Sequence, residues 1–155
     1  MKKKMTARVA AQKETAPDIY DMWIYSELAQ NALPGQFICL YTKDKSALLP
    51  RPISICETDA KKGLMRIVYR IAGKEEFSSY REGDTVEILG NLGNGFPFKK
   101  AEGKKVFLIG GGIGIPPILE LAKRMQADKQ IIVGYRDAHT FLREDLEKNG
   151  KAYIA

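Results

Sequence analysis

The first 98 residues show short runs of β-branched and aromatic side chains, separated by residues that favour turns. Such runs at close spacing predict strands rather than helices. We predict six strands, at residues 6–12, 19–27, 36–42, within 50–57, 64–72 and 85–89. Helical periodicity is weak here, apart from a short turn near residues 75–80. The pattern therefore indicates a six-stranded, closed or partly closed β-barrel over residues 1–98.

Beyond residue 98 the pattern changes to an alternation of strands and helices, after a charged linker over residues 99–105. We predict buried strands at residues 106–109 and 130–134, helices at 115–127 and 140–148, and the opening of a third strand at 152–155. This alternation indicates a parallel, Rossmann-like α/β sheet. Three strands and two helices make about half of a dinucleotide fold. We therefore expect residues 99–155 to be the N-terminal half of a nicotinamide-binding domain in a truncated chain.

Composition and charge exclude several functional classes. The chain has 155 residues, 45% hydrophobic and 28% charged, which is typical of a globular protein. No apolar run is long enough to span a membrane, and the basic start has no apolar stretch behind it, so we expect a cytoplasmic protein without membrane contact. The net charge of +6 comes from scattered lysines rather than from a basic stripe with interleaved aromatics. We therefore expect no nucleic-acid partner.

The two cysteines, Cys39 and Cys56, lie far apart in strand-like runs. We expect buried, reduced thiols, which suit a reducing compartment. Two cysteines are too few for the four thiolates of an ordinary iron–sulfur cluster. The sequence offers no metal site and no general acid or base.

Two short motifs in the barrel half are candidates for cofactor contacts. The first consists of Arg51, Pro52, Ile53 and Ser54. Because proline holds the preceding residue in extended geometry, the arginine could pair with a phosphate while the serine hydrogen-bonds a flavin edge. The second consists of Val68, Tyr69 and Arg70. Its tyrosine could stack on a flavin or pack in the barrel, and its arginine could face a pyrophosphate; each motif alone also fits an ordinary strand.

A glycine-rich segment follows the first buried strand of the second half and opens a helix, as in dinucleotide-binding loops. Gly112, Gly114 and Pro117 have the spacing of the usual fingerprint, with proline in place of its last glycine. Glycines let the backbone approach a pyrophosphate, whose charge the helix N-terminus attracts. After the next strand, Asp137 would favour the ribose 2′-hydroxyl of NAD, whereas Arg136 could accept the phosphate of NADP. The nicotinamide specificity therefore stays open.

The order of these motifs is more specific than any one of them. A β-barrel is followed by RPIS at 51–54, VYR at 68–70, GNLGNGF at 90–96 and GGGIGIPP at 110–117. The set resembles the ferredoxin–NADP reductase superfamily and is most similar to the electron transfer subunits of NAD-dependent dihydroorotate dehydrogenase. The resemblance spans essentially the whole chain.

The resemblance implies a relay in pyrimidine biosynthesis. Electrons would pass from an FMN-containing, dihydroorotate-oxidising subunit through a [2Fe–2S] cluster to FAD in this protein, and leave as hydride to NAD. It assigns FAD binding to the two barrel motifs and, in place of the family's G-x-G-T phosphate loop, to Gly73, Lys74 and Ser78. The cluster-binding C-terminal region has no counterpart here. We therefore expect an oxidoreductase subunit that is inactive alone, and we expect self-association through the unfinished sheet.

Two other functions stay open. The first is the reductase subunit of a ferredoxin–NADP transhydrogenase or sulfide dehydrogenase, which an NADP-reading Arg136 would favour. The second is a flavin-free module that uses the barrel only to dock a partner. Residues 71–78 support the docking module because they lack the family's G-T pair, and because Glu75 or Glu76 would repel a pyrophosphate.

Overall fold

The described residues up to Leu92 form a closed β-barrel. The computed structural model describes residues 2–44, 46, 49–71 and 76–155, without the side chain of Glu76. Six antiparallel strands have the order β1-β2-β5-β4-β3-β6. They are β1 Met5–Ala16, β2 Ile19–Tyr25, β3 Phe37–Tyr41, β4 Arg51–Asp59, β5 Leu64–Arg70 and β6 Thr85–Leu92. The alternation in each strand points one set of apolar side chains inward, so that Val9, Ile38 and Ile67 are fully buried. The predicted six-stranded barrel is confirmed.

A smaller parallel sheet follows, with the order β7-β8-β9. Its elements are β7 Lys105–Gly111, α1 Pro116–Arg124, β8 Asp128–Gly134, α2 Arg143–Glu147 and β9 Lys151–Ile154. Leu108, Ile131 and Val133 point from the sheet into a core that includes both helices. On the opposite face Phe107 is 62% exposed and Ile109 is 70% exposed. Within the described residues, helices therefore cover only one face of this sheet.

Both helices are shorter than the periodicity predicts. The prediction of a helix over 140–148 was wrong in its first turn, because α2 begins only at Arg143. Phe141 and Leu142 are buried in the core just before it, and Leu142 has a φ of 64°, a left-handed conformation that no helix accommodates. Helix α1 ends at Arg124 because Met125 is extended and buried. In both places, burial of one apolar side chain overrides helix propensity.

The barrel and the α/β part share a hydrophobic core. From the barrel it contains Ala16, Ile19, Cys56 and Val68. From the α/β part it contains, among others, Ile115, Leu119 and Phe141. The outer face of β4 and β5 therefore packs against α1 and the loop that precedes it.

Candidate functional site

The motif at residues 51–54 lies in the first half of β4, with two side chains on the outer face of the barrel. Ile53 points inward and is buried in the barrel core, so its neighbours Pro52 and Ser54 point outward. Pro52 is exposed and Ser54 is half-buried. The guanidinium of Arg51 donates a hydrogen bond to the backbone carbonyl of Arg70. The two predicted barrel motifs are therefore in direct contact.

Tyr69 belongs to the barrel core. It is 1% exposed, and its hydroxyl donates to Oε1 of Gln12 at 2.7 Å. Tyr20 stacks with its ring at a centroid distance of 5.9 Å and an interplanar angle of 23°. The guanidinium of Arg51 lies over the same ring, 5.6 Å from its centroid. Tyr69 is thus packed in the barrel, which is one of the two roles that the sequence left open.

The other residues of the second motif point outward. Val68 alternates with Tyr69 and is buried in the core shared with the α/β part. Arg70 is half-buried at the end of β5. Gly73 and Lys74 lie outside the described residues. Ser78 is half-buried in the 3-10 turn Glu76–Ser79, the short turn that the sequence predicts near residues 75–80.

The glycine loop connects β7 to α1 through a tight turn. Gly112 has a φ of 51°, and Gly112–Gly114 form a 3-10 turn. A side chain at Gly110 would bring its Cβ within 3.1 Å of Ile118 Cγ1, so glycine permits the close packing of strand and helix. Gly114 is exposed and Pro117 is half-buried at the second position of the helix.

The helix start offers fewer phosphate donors than an ordinary helix N-terminus. Pro116 and Pro117 have no N–H group. The N–H groups of Ile115 and Ile118 already donate to the carbonyls of Gly112 and Ile115, at 3.1 and 2.9 Å. The donors for an anion at this place are therefore those of the Gly112–Gly114 turn rather than those of the helix itself.

Asp137 lies in an exposed turn just after β8. Its Oδ1 accepts hydrogen bonds from the backbone N–H of His139 at 2.8 Å and lies 2.8 Å from the ring Nδ1 of the same residue. The backbone bond, then the ring contact, lower the pKa of Asp137, so the carboxylate stays ionised at neutral pH. Arg136 beside it is exposed as well. Both of the residues between which the sequence left the ribose contact open are thus accessible.

One cleft brings residues of three predicted motifs together. Arg70 from the barrel, Gly112 from the glycine loop, and Arg136 and Asp137 from the end of β8 line it. Arg51 is joined to this cleft through its contact with Arg70. Pro52, Ser54, Ser78, Gly114 and Pro117 are not among its lining residues. The two arginines outnumber the single carboxylate of Asp137, so the charge at the cleft is net positive.

Sequence reasoning missed several residues at this site. Gln12 holds the hydroxyl of Tyr69 and also donates to the carbonyls of Phe77 and Tyr80, at 2.7 and 3.1 Å. Tyr135 lines the cleft, and its hydroxyl donates to the carbonyl of Phe141 at 2.8 Å. The Gln12 contacts join distant segments, so no local sequence pattern reveals them. Among the described residues, no three His, Cys, Asp or Glu side chains are arranged to hold a metal ion.

Sequence comparison identifies relatives over the whole chain. The dihydroorotate dehydrogenase B (NAD⁺) electron transfer subunit of Streptococcus pneumoniae strain R6 is 36% identical over 157 residues, which cover 96% of this chain and 61% of that protein. The subunit of the same name from Bacillus cereus strain 03BB102 is 37% identical over 164 residues, covering 100% of this chain and 63% of that protein. The chain thus spans less than two thirds of the length of these relatives. No protein-family model matches it.

Solved structures agree with this result. The NADH-dependent reduced ferredoxin–NADP oxidoreductase superposes with a TM-score of 0.85 at 27% identity, over 96% of this chain and 55% of that one. A ferredoxin–NADP⁺ reductase from Neisseria gonorrhoeae, solved with bound FAD and NADP, has a TM-score of 0.76 at 16% identity and covers 98% of this chain and 68% of that one. In the described part of the chain, no helix is both long and apolar enough to cross a bilayer. By sequence along its whole length and by fold, the chain is a relative of the dihydroorotate dehydrogenase B electron transfer subunits and has the architecture of ferredoxin–NADP reductase-type proteins.

Proposed function

We propose that the chain binds FAD on its barrel and passes electrons between the flavin and a nicotinamide dinucleotide. In this proposal residues 1–98 are the FAD-binding unit and residues 99–155 are the first half of the nicotinamide-binding unit. The observation that carries it is the meeting of Arg70 and Gly112 of the glycine loop at one cleft, with Arg51 hydrogen-bonded to the backbone carbonyl of Arg70. The relatives' name, electron transfer subunit, supports the same function.

The residues present fit a flavin dinucleotide. The Arg51 guanidinium lies against the backbone carbonyl of Arg70, and in this proposal the two arginines would pair with the phosphates of a pyrophosphate. Pro52, Ser54 and Val68 point to the same outer face of β4 and β5, where Ser54 would hydrogen-bond the edge of the ring system. Ile53 and Tyr69 would support this face from inside the barrel. Gly73, Lys74 and Ser78 complete the proposed phosphate-binding set.

The nicotinamide dinucleotide would bind to the α/β part. The Gly112–Gly114 turn supplies backbone N–H groups for its pyrophosphate, and Pro117 lies at the second position of the helix that follows. Asp137 would bind the ribose 2′-hydroxyl of NAD. When bound, FAD supplies the hydride and single-electron chemistry, and the chain's own residues bind, orient and shield it.

The partners follow from the relatives. We propose that a separate FMN-containing subunit oxidises dihydroorotate and delivers electrons to this chain in the cytoplasm, as a step of pyrimidine biosynthesis. A [2Fe–2S] cluster would belong to a region outside residues 1–155, since these contain only two cysteines, Cys39 and Cys56. The chain would therefore need that region and the partner for the complete reaction.

One alternative has an observation in its favour. Arg136 is exposed beside Asp137 in the same cleft, where it would bind the 2′-phosphate of NADP. The similarity to the NADH-dependent reduced ferredoxin–NADP oxidoreductase supports a reductase subunit of that kind. Preference for NADPH over NADH in flavin reduction would favour this alternative.

An FAD titration tests the proposal. The protein is desalted after incubation with FAD, its absorption spectrum is recorded, and the Kd is measured by flavin fluorescence. Retention of roughly one FAD per chain is expected. Arg51→Gln should raise the Kd about tenfold to a hundredfold, because a hydrogen bond to a charged group contributes roughly 1.5–3 kcal/mol.

Arg8→Gln is the matched control. Arg8 is an exposed arginine of β1 whose guanidinium lies over Tyr25, and it belongs to neither of the proposed FAD motifs. This control should leave the Kd within twofold of the wild-type value. A wild-type chain that stays colourless would contradict FAD binding and favour the docking module. Equal Kd values for the two variants would contradict the role of Arg51.

A further inference from the structure

A buried carboxylate joins the α/β part to the barrel. Glu120 of α1 is 2% exposed. Its Oε2 accepts from the backbone N–H of Thr58 in β4 at 3.0 Å, and its Oε1 accepts from the hydroxyl of Thr58 at 2.8 Å. We call this pair of bonds the Thr58–Glu120 clasp. Both oxygens of the carboxylate are used across the junction, so the clasp fixes position as well as contact.

Positive charges surround the clasp. Arg124, one turn further along α1, lies 3.6 Å from Oε1 of Glu120 and donates to the carbonyl of Ala32 in the barrel at 2.6 Å. Lys123 donates to Glu57 and to the carbonyl of Thr58, at 3.1 and 3.0 Å. A buried carboxylate is costly unless it is hydrogen-bonded and paired. Glu120 meets both conditions: its hydrogen bonds link α1 to the barrel, and its ion pair with Arg124 lies within α1.

The clasp joins β4 to α1. On each of these elements it lies further along the chain than the proposed cofactor motif. On β4, Thr58 is four residues after Ser54, about 13 Å at roughly 3.3 Å per residue. Along the axis of α1, Glu120 is six residues after Gly114, which is about 9 Å at roughly 1.5 Å per residue. Cys56 of β4 and Ile118 of α1 are in the shared core, so the two elements pack together between clasp and motifs. The register of α1 on β4 therefore sets how far the glycine loop lies from the flavin motif.

We propose that the Thr58–Glu120 clasp is a positioning device that fixes the nicotinamide loop relative to the flavin-binding strand. Glu120 and Thr58 touch neither ligand and act only through the orientation of α1 on β4. The inference rests on the proposed function for its catalytic consequence, but its structural part does not depend on a bound cofactor. Hydride transfer requires the reacting atoms to be about 3–3.5 Å apart, and a misplacement of about 1 Å can slow the reaction about a hundredfold.

The first measurement is a distance between the two parts without cofactor. In a Cys39→Ser background, spin labels are attached at Thr85→Cys on β6 and Asp128→Cys on β8, both exposed positions. Pulsed electron spin resonance then gives the distribution of label distances. Glu120→Ala should broaden or shift this distribution, and Thr58→Val, which removes only the hydroxyl bond, should do so to a smaller extent. Glu147→Ala, an exposed carboxylate paired with Arg143, is the matched control and should leave the distribution unchanged.

The second measurement is flavin reduction by saturating NADH. Glu120→Ala should lower the rate constant of flavin reduction at least tenfold while the Kd for FAD stays within threefold of the wild-type value. The rate constant of Thr58→Val should lie between those of Glu120→Ala and the wild type. An unchanged distance distribution in both variants would overturn the inference. So would a broadened distribution with the wild-type reduction rate, because the clasp would then not position the reaction. A wild-type chain that binds no FAD would overturn the proposed function alone, and the distances would still decide the orientation.

Discussion

Replacing Arg66 by methionine would leave a buried carboxylate without its partner. Nε and Nη2 of Arg66 donate to the two oxygens of Asp21 at 2.9 and 2.6 Å, with side-chain exposures of 9% and 2% for the arginine and the aspartate. Burial lowers the pKa of Arg66, but the hydrogen bonds and charge of Asp21 raise it by more, so the guanidinium stays charged. Nη1 also lies 3.1 Å from Glu57 and 3.5 Å from Asp145 of α2.

The expected loss follows from this geometry. Removing one partner of a buried, hydrogen-bonded ion pair costs about 3–5 kcal/mol, which changes the folding equilibrium by about two to three and a half orders of magnitude. A domain of this size has roughly 5–15 kcal/mol of stability in total. The Arg66→Met variant should therefore remain folded only if the wild-type stability exceeds the expected loss. Urea denaturation followed by far-UV circular dichroism at 15 °C measures the change in the free energy of unfolding.

Two controls separate the buried charge from lost packing. The double variant Arg66→Met with Asp21→Leu removes both charges and should regain most of the stability, because apolar residues often replace buried ion pairs without loss. Arg143→Met breaks the exposed pair with Glu147 and should cost less than about 1 kcal/mol. A loss below about 1 kcal/mol for Arg66→Met, or a double variant as unstable as the single one, would refute the reasoning.

Two further predictions concern the α/β part. The pKa of Asp137 is lowered by His139, so the turn that they form gains stability above the unfolded pKa of about 3.9 and should lose it as the pH falls through the lower folded pKa. The backbone amide resonance of His139 should move over that acidic range, and an amide that does not move between pH 5 and pH 2 would contradict the contact. Phe107 and Ile109 present an exposed apolar face, so the chain should associate with increasing concentration, and Ile109→Lys should weaken this association. Sedimentation velocity measures it, and a wild-type chain that is monomeric at all concentrations would contradict the prediction.

The barrel strands were predictable because their signal is local. In β4 and β5, apolar side chains alternate with polar or outward ones, and the period of two identifies a strand before any partner is known. The glycine loop was predictable for the same reason, since a glycine-rich segment lies between a buried strand and a helix. Its geometry agrees in detail: Gly112 has a positive φ, and Gly110 leaves room for Ile118. These features depend on neighbouring residues only.

Other features depend on residues distant in the chain, and the sequence did not reveal them. Tyr69 is in the barrel core because Gln12, 57 positions away, satisfies its hydroxyl. Glu120 reads as an ordinary polar helix residue, yet it is buried because Thr58 lies 62 positions away in sequence and next to it in space. The length of α2 also depended on where Leu142 could be buried. The local sequence pattern therefore does not predict which distant residues form these contacts.

Arg66 and Glu120 connect the same two parts of the molecule but have different expected roles. Arg66 satisfies a buried carboxylate on the outer face of β2 and reaches Asp145 of α2 only at 3.5 Å, so its loss should mainly lower stability. Glu120 forms its strongest bonds across the junction, so its loss should mainly change orientation. If both variants changed stability and orientation together, the junction would be one cooperative unit. Separate effects would mean that folding of the barrel and alignment of the two cofactor motifs depend on different buried charges.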